Sequence, residues 1–129
     1  MAWHNELGKI GERLACEHLI KQGYIVRETN WRLGRLEIDI VAEKDCRLVI
    51  VEVKTRTNKE YADPSGTITS EKIRYMIRAA RAYMGLNPHF NEVQFDIITV
   101  IGDGTGEMEI DHLPDAFTPP LHTYGRRYR

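Results

Sequence analysis

The chain has 129 residues, 42% of them apolar and 29% charged, with a formal net charge of −1. That is enough chain for one domain with an unstapled core, and a charge too near zero for indiscriminate polyanion binding. No apolar run approaches the roughly 18 residues of a membrane span, "MAWHNELGKIGERLA" lacks a secretory signal pattern, and Cys16 and Cys46 show no metal or CxxC spacing, so a cytoplasmic protein is expected.

Residues 5–22 carry Leu7, Ile10, Leu14 and Leu19 near helical spacing, and Gly23 supplies a stop. Glu12 falls on the border of that helix's buried face, where a salt bridge is the ordinary use of a carboxylate. "YIVRET" then reads as a short strand and "NWRLGR" as a connection turning at Gly34. In the next strand alternation puts Glu37, Asp39 and Val41 on one face and Leu36, Ile38 and Ile40 on the other. After "EKDC", residues 47–54 alternate again, with Val49, Val51 and Val53 inward and Leu48, Ile50, Glu52 and Lys54 opposite.

The loop between these strands decides which charges meet. A hairpin loop of even length puts Asp39, Glu52 and Lys54 on one face, with position 39 facing 50 and position 37 facing 52. A three-residue loop sends Asp39 to the other side.

"TNKEYADPSGTIT" is a polar connection, after which Thr69 or Ser70 caps a second helix with an apolar stripe of Ile73, Ile77, Ala80 and Met84, ending at Gly85. Arg74, Arg78 and Arg81 line another of its faces. "EVQFDIITVI" is a further strand, and "GDGTG" leads into a last one, "EMEIDHL". Helix, three strands, helix, two strands predicts an α/β domain with a central mixed sheet flanked by helices, over residues 1–118. Residues 119–129, ending "GRRYR", read as a flexible basic tail.

Charge is segregated along this order. Between Lys54 and Arg81 there are seven Lys or Arg against three acids, whereas between Glu92 and Asp115 there are seven acids and no Lys or Arg. Arg56, Lys59, Lys72, Arg74, Arg78 and Arg81 are therefore candidate phosphate contacts; a merely solvated face is the alternative.

The carboxylates point to chemistry. An E-x-K in a strand is by itself usually an exposed pair. Here "EID" precedes Glu52 on a neighbouring strand, and like charges facing one another across a sheet need compensation. Mg²⁺, with Mn²⁺ as substitute, suits such a site: it takes oxygen ligands and is commonly held by one or two carboxylates plus substrate phosphate. Lys54, about 7 Å further along the strand, is placed to orient a water or stabilise developing charge.

These residues bring out a family resemblance. "GxxGExxAxxxLxxxGY" from Gly8 to Tyr24, "NWR" at 30–32, "EIDIVA" at 37–42, "VEVKTR" at 51–56 and "FDII" at 95–98 resemble the YraN family of small bacterial proteins. That family is related to archaeal Holliday junction resolvases and the PD-(D/E)XK nucleases. The resemblance implies a restriction-endonuclease-like core and a metal-dependent endonuclease acting on structured or branched DNA. It implies Asp39 and Glu52 as metal ligands, Glu12 and Glu37 assisting them, and Lys54 as catalytic lysine. One departure is Leu36, where the family usually has glycine before the glutamate. A non-cleaving nucleic-acid-binding module, in a larger assembly, is the alternative function. A homodimer with two sites on a two-fold axis would suit symmetrical junction cleavage.

Overall fold

The computed structural model describes residues 2–58 and 68–119; Lys59 and residues 120–129 of the expected tail lie outside the described residues. Its elements are α1 (Ala2–Lys21), β1 (Ile25–Leu33), β2 (Leu36–Lys44), β3 (Arg47–Arg56), α2 (Ser70–Leu86), β4 (Val93–Ile101) and β5 (Glu109–Leu113). The sheet order is β1-β2-β3-β4-β5, antiparallel throughout except for the parallel β3–β4 pair, which α2 connects. This is the expected α/β architecture, a five-stranded mixed sheet between two helices in a restriction-endonuclease-like arrangement.

The middle of the sheet is buried on both faces. Leu48 and Ile50 join Ile77, Ala80 and Tyr83 beneath α2, while Val49 and Val51 join Ala15 and Leu19 beneath α1. The expectation that only the valines pack inward is corrected here, because a strand covered by a helix on each side hides both its faces. The α2 stripe is also wider than four residues, with Met76, Ala79 and Tyr83 buried as well. Thr69 caps α2 by accepting the backbone N–H of Lys72 at 3.1 Å, and Gly23, at φ 91°, follows α1.

Two local readings change. β1 runs through Asn30 to Leu33 instead of ending before "NWR", and only Gly34 and Arg35 turn to β2. Trp31 accounts for the extension: it pairs with Ile38 and meets Tyr83 edge-on at 5.3 Å between ring centroids, so the segment gains apolar cover. The β2–β3 loop has two residues, Asp45 and Cys46, both at positive φ as a twisted hairpin turn needs. Ile40 consequently pairs with Val51, and the expected 39–50 and 37–52 pairings are displaced by two residues. A shift by two preserves the faces within the paired ladder, but the expected common face of Leu36, Ile38 and Ile40 is not kept, because Leu36 and Ile38 pack on the α2 side and Ile40 on the α1 side.

At the α1–β3 contact, a Cβ on buried Gly11 would collide with the Thr55 side chain. Gly11→Ala is therefore expected to destabilise the fold by about 1–3 kcal/mol, as overpacking does, despite alanine's better helix propensity. Urea titration would measure it, and a more stable variant would show that α1 can move away from β3 freely.

Candidate functional site

The site forms where β2 and β3 part. Their ladder is continuous from Lys44–Arg47 to Ile40–Val51. Beyond it Asp39 Oδ2 accepts the backbone N–H of Val53 at 2.8 Å, satisfying a strand donor with a side chain. Strict alternation also breaks here, for Ile38 packs in the α2-side core and Ile40 in the α1-side core. Asp39 thereby sits at the boundary of two clefts.

The α2-side cleft, of about 670 Å³, is lined by Glu37, Asp39, Glu52, Lys72, Tyr75 and Arg78 among others. The α1-side cleft, of about 590 Å³, is lined by Lys9, Glu12, Asn30, Arg32 and Asp39 among others. Asp39 and Val53 belong to both.

Burial pushes the Asp39 carboxyl up to about 6; the Val53 N–H opposes the rise, the Glu52 and Glu12 charges add to it, and Lys72 opposes it. Three carboxylates from α1, β2 and β3 thus act on one point. Glu12 is steadied by Asn30, whose amide donates to it at 2.6 Å from a backbone at φ 53°, a conformation asparagine tolerates. Glu52 pairs with Lys72 at 3.0 Å. Glu37 sits at the cleft's rim, paired with Arg32 at 3.3 Å.

Of the other candidates Lys72 and Arg78 line the α2-side cleft, whereas Lys54, Arg56, Arg74 and Arg81 line neither cleft. Lys54 lies two residues beyond Glu52, half-buried and paired through its backbone with Thr99 of β4. Arg78 is exposed and lines the α2-side cleft, and Arg74 is exposed one turn earlier. Arg81 is half-buried, and Arg56 donates to the carbonyl of Thr55 at 2.9 Å. Leu36 packs against the α2-side core.

All donors at the centre are oxygens, which fits Mg²⁺ or Mn²⁺ better than a softer ion. Among the described residues no three His, Cys, Asp or Glu side chains form a metal-holding group by themselves. Any ion held by Asp39 and Glu52 would fill its remaining positions with water or substrate oxygen, the usual condition of Mg²⁺.

Several residues here escaped the sequence reading. Lys9, Asn30, Arg32 and Tyr75 all line the clefts, and "NWR" was the one available signal, visible as a pattern without a role. A second polar cluster lies beneath α1. The wholly buried Asp96 accepts from Tyr24 Oη at 2.8 Å, Gln94 at 2.9 Å and the Asp115 N–H at 3.0 Å, and its Oδ2 lies 2.8 Å from His112 Nε2. Burial alone would raise this carboxyl, but the hydrogen bonds, led by that to His112, hold it below its usual range. His112 in turn reaches His18 of α1 at 3.0 Å, so the hub ties β4 and β5 to the helix bearing Glu12.

The motifs that built this site are matched by known sequences. The profile described as "Uncharacterised protein family UPF0102" matches residues 11–100, which take in Glu12, Asp39, Glu52 and Lys54. The chain belongs to the UPF0102 (YraN) family. A UPF0102 protein of Bacteroides thetaiotaomicron is 53% identical over 121 residues, covering 94% of this chain and 99% of that protein. UPF0102 relatives from Bacteroides fragilis and Flavobacterium psychrophilum are 49% and 44% identical, over 94% and 91% of this chain and 99% and 98% of theirs. Among the described residues no helix is long and apolar enough to cross a membrane.

Proposed function

We propose that this UPF0102 protein is a Mg²⁺-dependent endonuclease that hydrolyses phosphodiesters of DNA, with branched or otherwise structured DNA as its substrate. The observation that carries the reading is the opening of β2 from β3 at Asp39. There a half-buried carboxylate is held against the Val53 N–H and placed under the like charges of Glu52 and Glu12. Asp39 and Glu52 would hold the ion, with Glu12 and Glu37 acting beside them. A divalent cation there supplies Lewis acidity, lowering the pKa of bound water and neutralising phosphate charge. Lys54, further along the strand that carries Glu52, orients the attacking water or stabilises charge growing at the phosphate. Lys9 and Arg32 on one side of Asp39, and Lys72 and Arg78 on the other, offer cations to a strand crossing the gap.

Junction, flap and linear duplex DNA, each incubated with and without Mg²⁺ or Mn²⁺, test the reading. Metal-dependent cutting, faster on the structured substrates, is the expected result. Binding without cutting under every condition would favour the non-cleaving module, which the exposed Arg74 and Arg78 also support.

The basic helix should govern affinity. Arg74→Ala with Arg78→Ala is expected to weaken binding to all DNA sequences and to reduce the slope of log K against log salt by up to about 2, since each lost phosphate contact releases fewer counterions. An unchanged slope, read by fluorescence anisotropy across a salt series, would make this a solvated face. Arg81 is left intact because it is half-buried.

A further inference from the structure

We infer that Lys72 is the resident counter-cation of the acidic cleft: its ammonium holds Glu52 in the metal-free protein and yields that carboxylate when a divalent ion enters. The inference rests on the reading of Asp39 and Glu52 as a divalent-cation site, and it adds a residue from a different element that sets how readily the site loads.

Lys72 is in the first turn of α2, twenty positions after Glu52 in the sequence, yet its Nζ lies 3.0 Å from Glu52 Oε2. Its charge also reaches Asp39, and both side chains line the same cleft. The neighbouring charges explain why the place falls to Lys72. Glu37 has Arg32 as its partner at 3.3 Å, and Glu12 has the Asn30 amide.

An exposed ion pair would be a weak basis for this, since such pairs commonly contribute little. Here the lysine is positioned. Its backbone N–H is bound by the Thr69 cap, and its ammonium lies over the Tyr75 ring, 5.2 Å from the centroid. The ring is itself fixed at both hydrogen-bonding roles of its hydroxyl: Tyr75 Oη accepts the Glu37 N–H at 2.8 Å and donates to the Arg35 carbonyl at 3.0 Å. The β1–β2 turn thus sets the tyrosine, the tyrosine backs the lysine, and the lysine meets Glu52. Tyr75 also gives the ammonium a second favourable contact, so letting go of Glu52 does not strand it.

A competing cation has a definite signature. Removing it should tighten binding of the ion it competes with, whereas removing an ordinary surface charge far from the site should not. Calorimetric titration of the full chain with Mn²⁺ alone, comparing wild type, Lys72→Gln and Lys72→Arg, reads this without any need for cleavage. Glutamine keeps much of the stem over Tyr75 and loses the charge; arginine keeps the charge. Lys72→Gln is expected to bind Mn²⁺ about fivefold more tightly at low salt, with Lys72→Arg near wild type and the difference shrinking as NaCl is raised. Unchanged or weaker Mn²⁺ binding by Lys72→Gln overturns the proposal. If Lys72→Gln tightens Mn²⁺ binding but wild type cuts no DNA, the counter-cation stands and the nuclease reading fails. If neither protein binds Mn²⁺, both fail.

Discussion

Lys54→Ala is expected to lose about two to four orders of magnitude in single-turnover DNA cleavage while keeping Mn²⁺ binding and most DNA affinity, the loss typical of a positioned electrostatic or proton-transfer group. The split follows from where the residue lies. Lys54 is on the strand that carries Glu52, whereas Lys72 makes the ion pair with that carboxylate. Losing Lys54 therefore leaves the pairing of Glu52 intact. An interaction realised only as charge develops in the transition state appears in rate and not in affinity. Lys54→Arg should not restore the rate, because a planar guanidinium cannot take the place of a compact ammonium in a half-buried position. Equal cleavage by wild type and Lys54→Ala would remove Lys54 from the chemistry and leave Lys72 as the ammonium nearest the carboxylates.

How far the sequence foretold this arrangement depended on the range of each interaction. Alternation in "LEIDIVA" and "RLVIVEVK" placed Asp39 and Glu52 on one face, and both line the α2-side cleft, although the pairing moved by two residues and the break in alternation between Ile38 and Ile40 opens Asp39 to the α1 side as well. Periodicity reports the face of a strand and nothing about what covers it. The coverage of β3 by both helices, the ion pair of Lys72 with Glu52 and the bond from Asn30 to Glu12 all join residues far apart in the chain. Asn30 misled for a local reason. Its φ of 53° is the conformation of a turn residue, yet Trp31 on its far side keeps the segment in the sheet. Asp96 was hidden differently: in "FDII" it is one polar residue in an apolar strand, and its partners come from the α1–β1 connection, β4, β5 and the segment after β5.

Asp39→Asn should separate the strain of the acidic cluster from its use. In the metal-free protein the folded state holds the Asp39 proton more tightly than the unfolded chain does, its carboxyl being pushed up to about 6 against an ordinary value near 4. The sign follows directly: this group favours the folded state below about pH 4, and that advantage is lost as pH rises through about 6. At 1.36 kcal/mol per pKa unit, the penalty at pH 8 is at most roughly 3 kcal/mol. Asparagine removes the charge and keeps an oxygen that can accept the Val53 N–H, while its amide group can donate toward Glu12 or Glu52. Metal-free Asp39→Asn is therefore expected to melt higher than wild type at pH 8, with the difference closing near pH 4. Metal reverses the order. Wild type should gain about 2.7 kcal/mol of stability at a Mn²⁺ concentration one hundred times the dissociation constant, and the variant, lacking one of two charged ligands, should gain almost none. Thermal melts at both pH values, with and without Mn²⁺, give the whole comparison. A variant that melts lower than wild type without metal at pH 8 would show that the bond to Val53 outweighs the repulsion. A variant stabilised by Mn²⁺ as much as wild type would mean that Asp39 is not a ligand and that the opening between β2 and β3 serves another purpose.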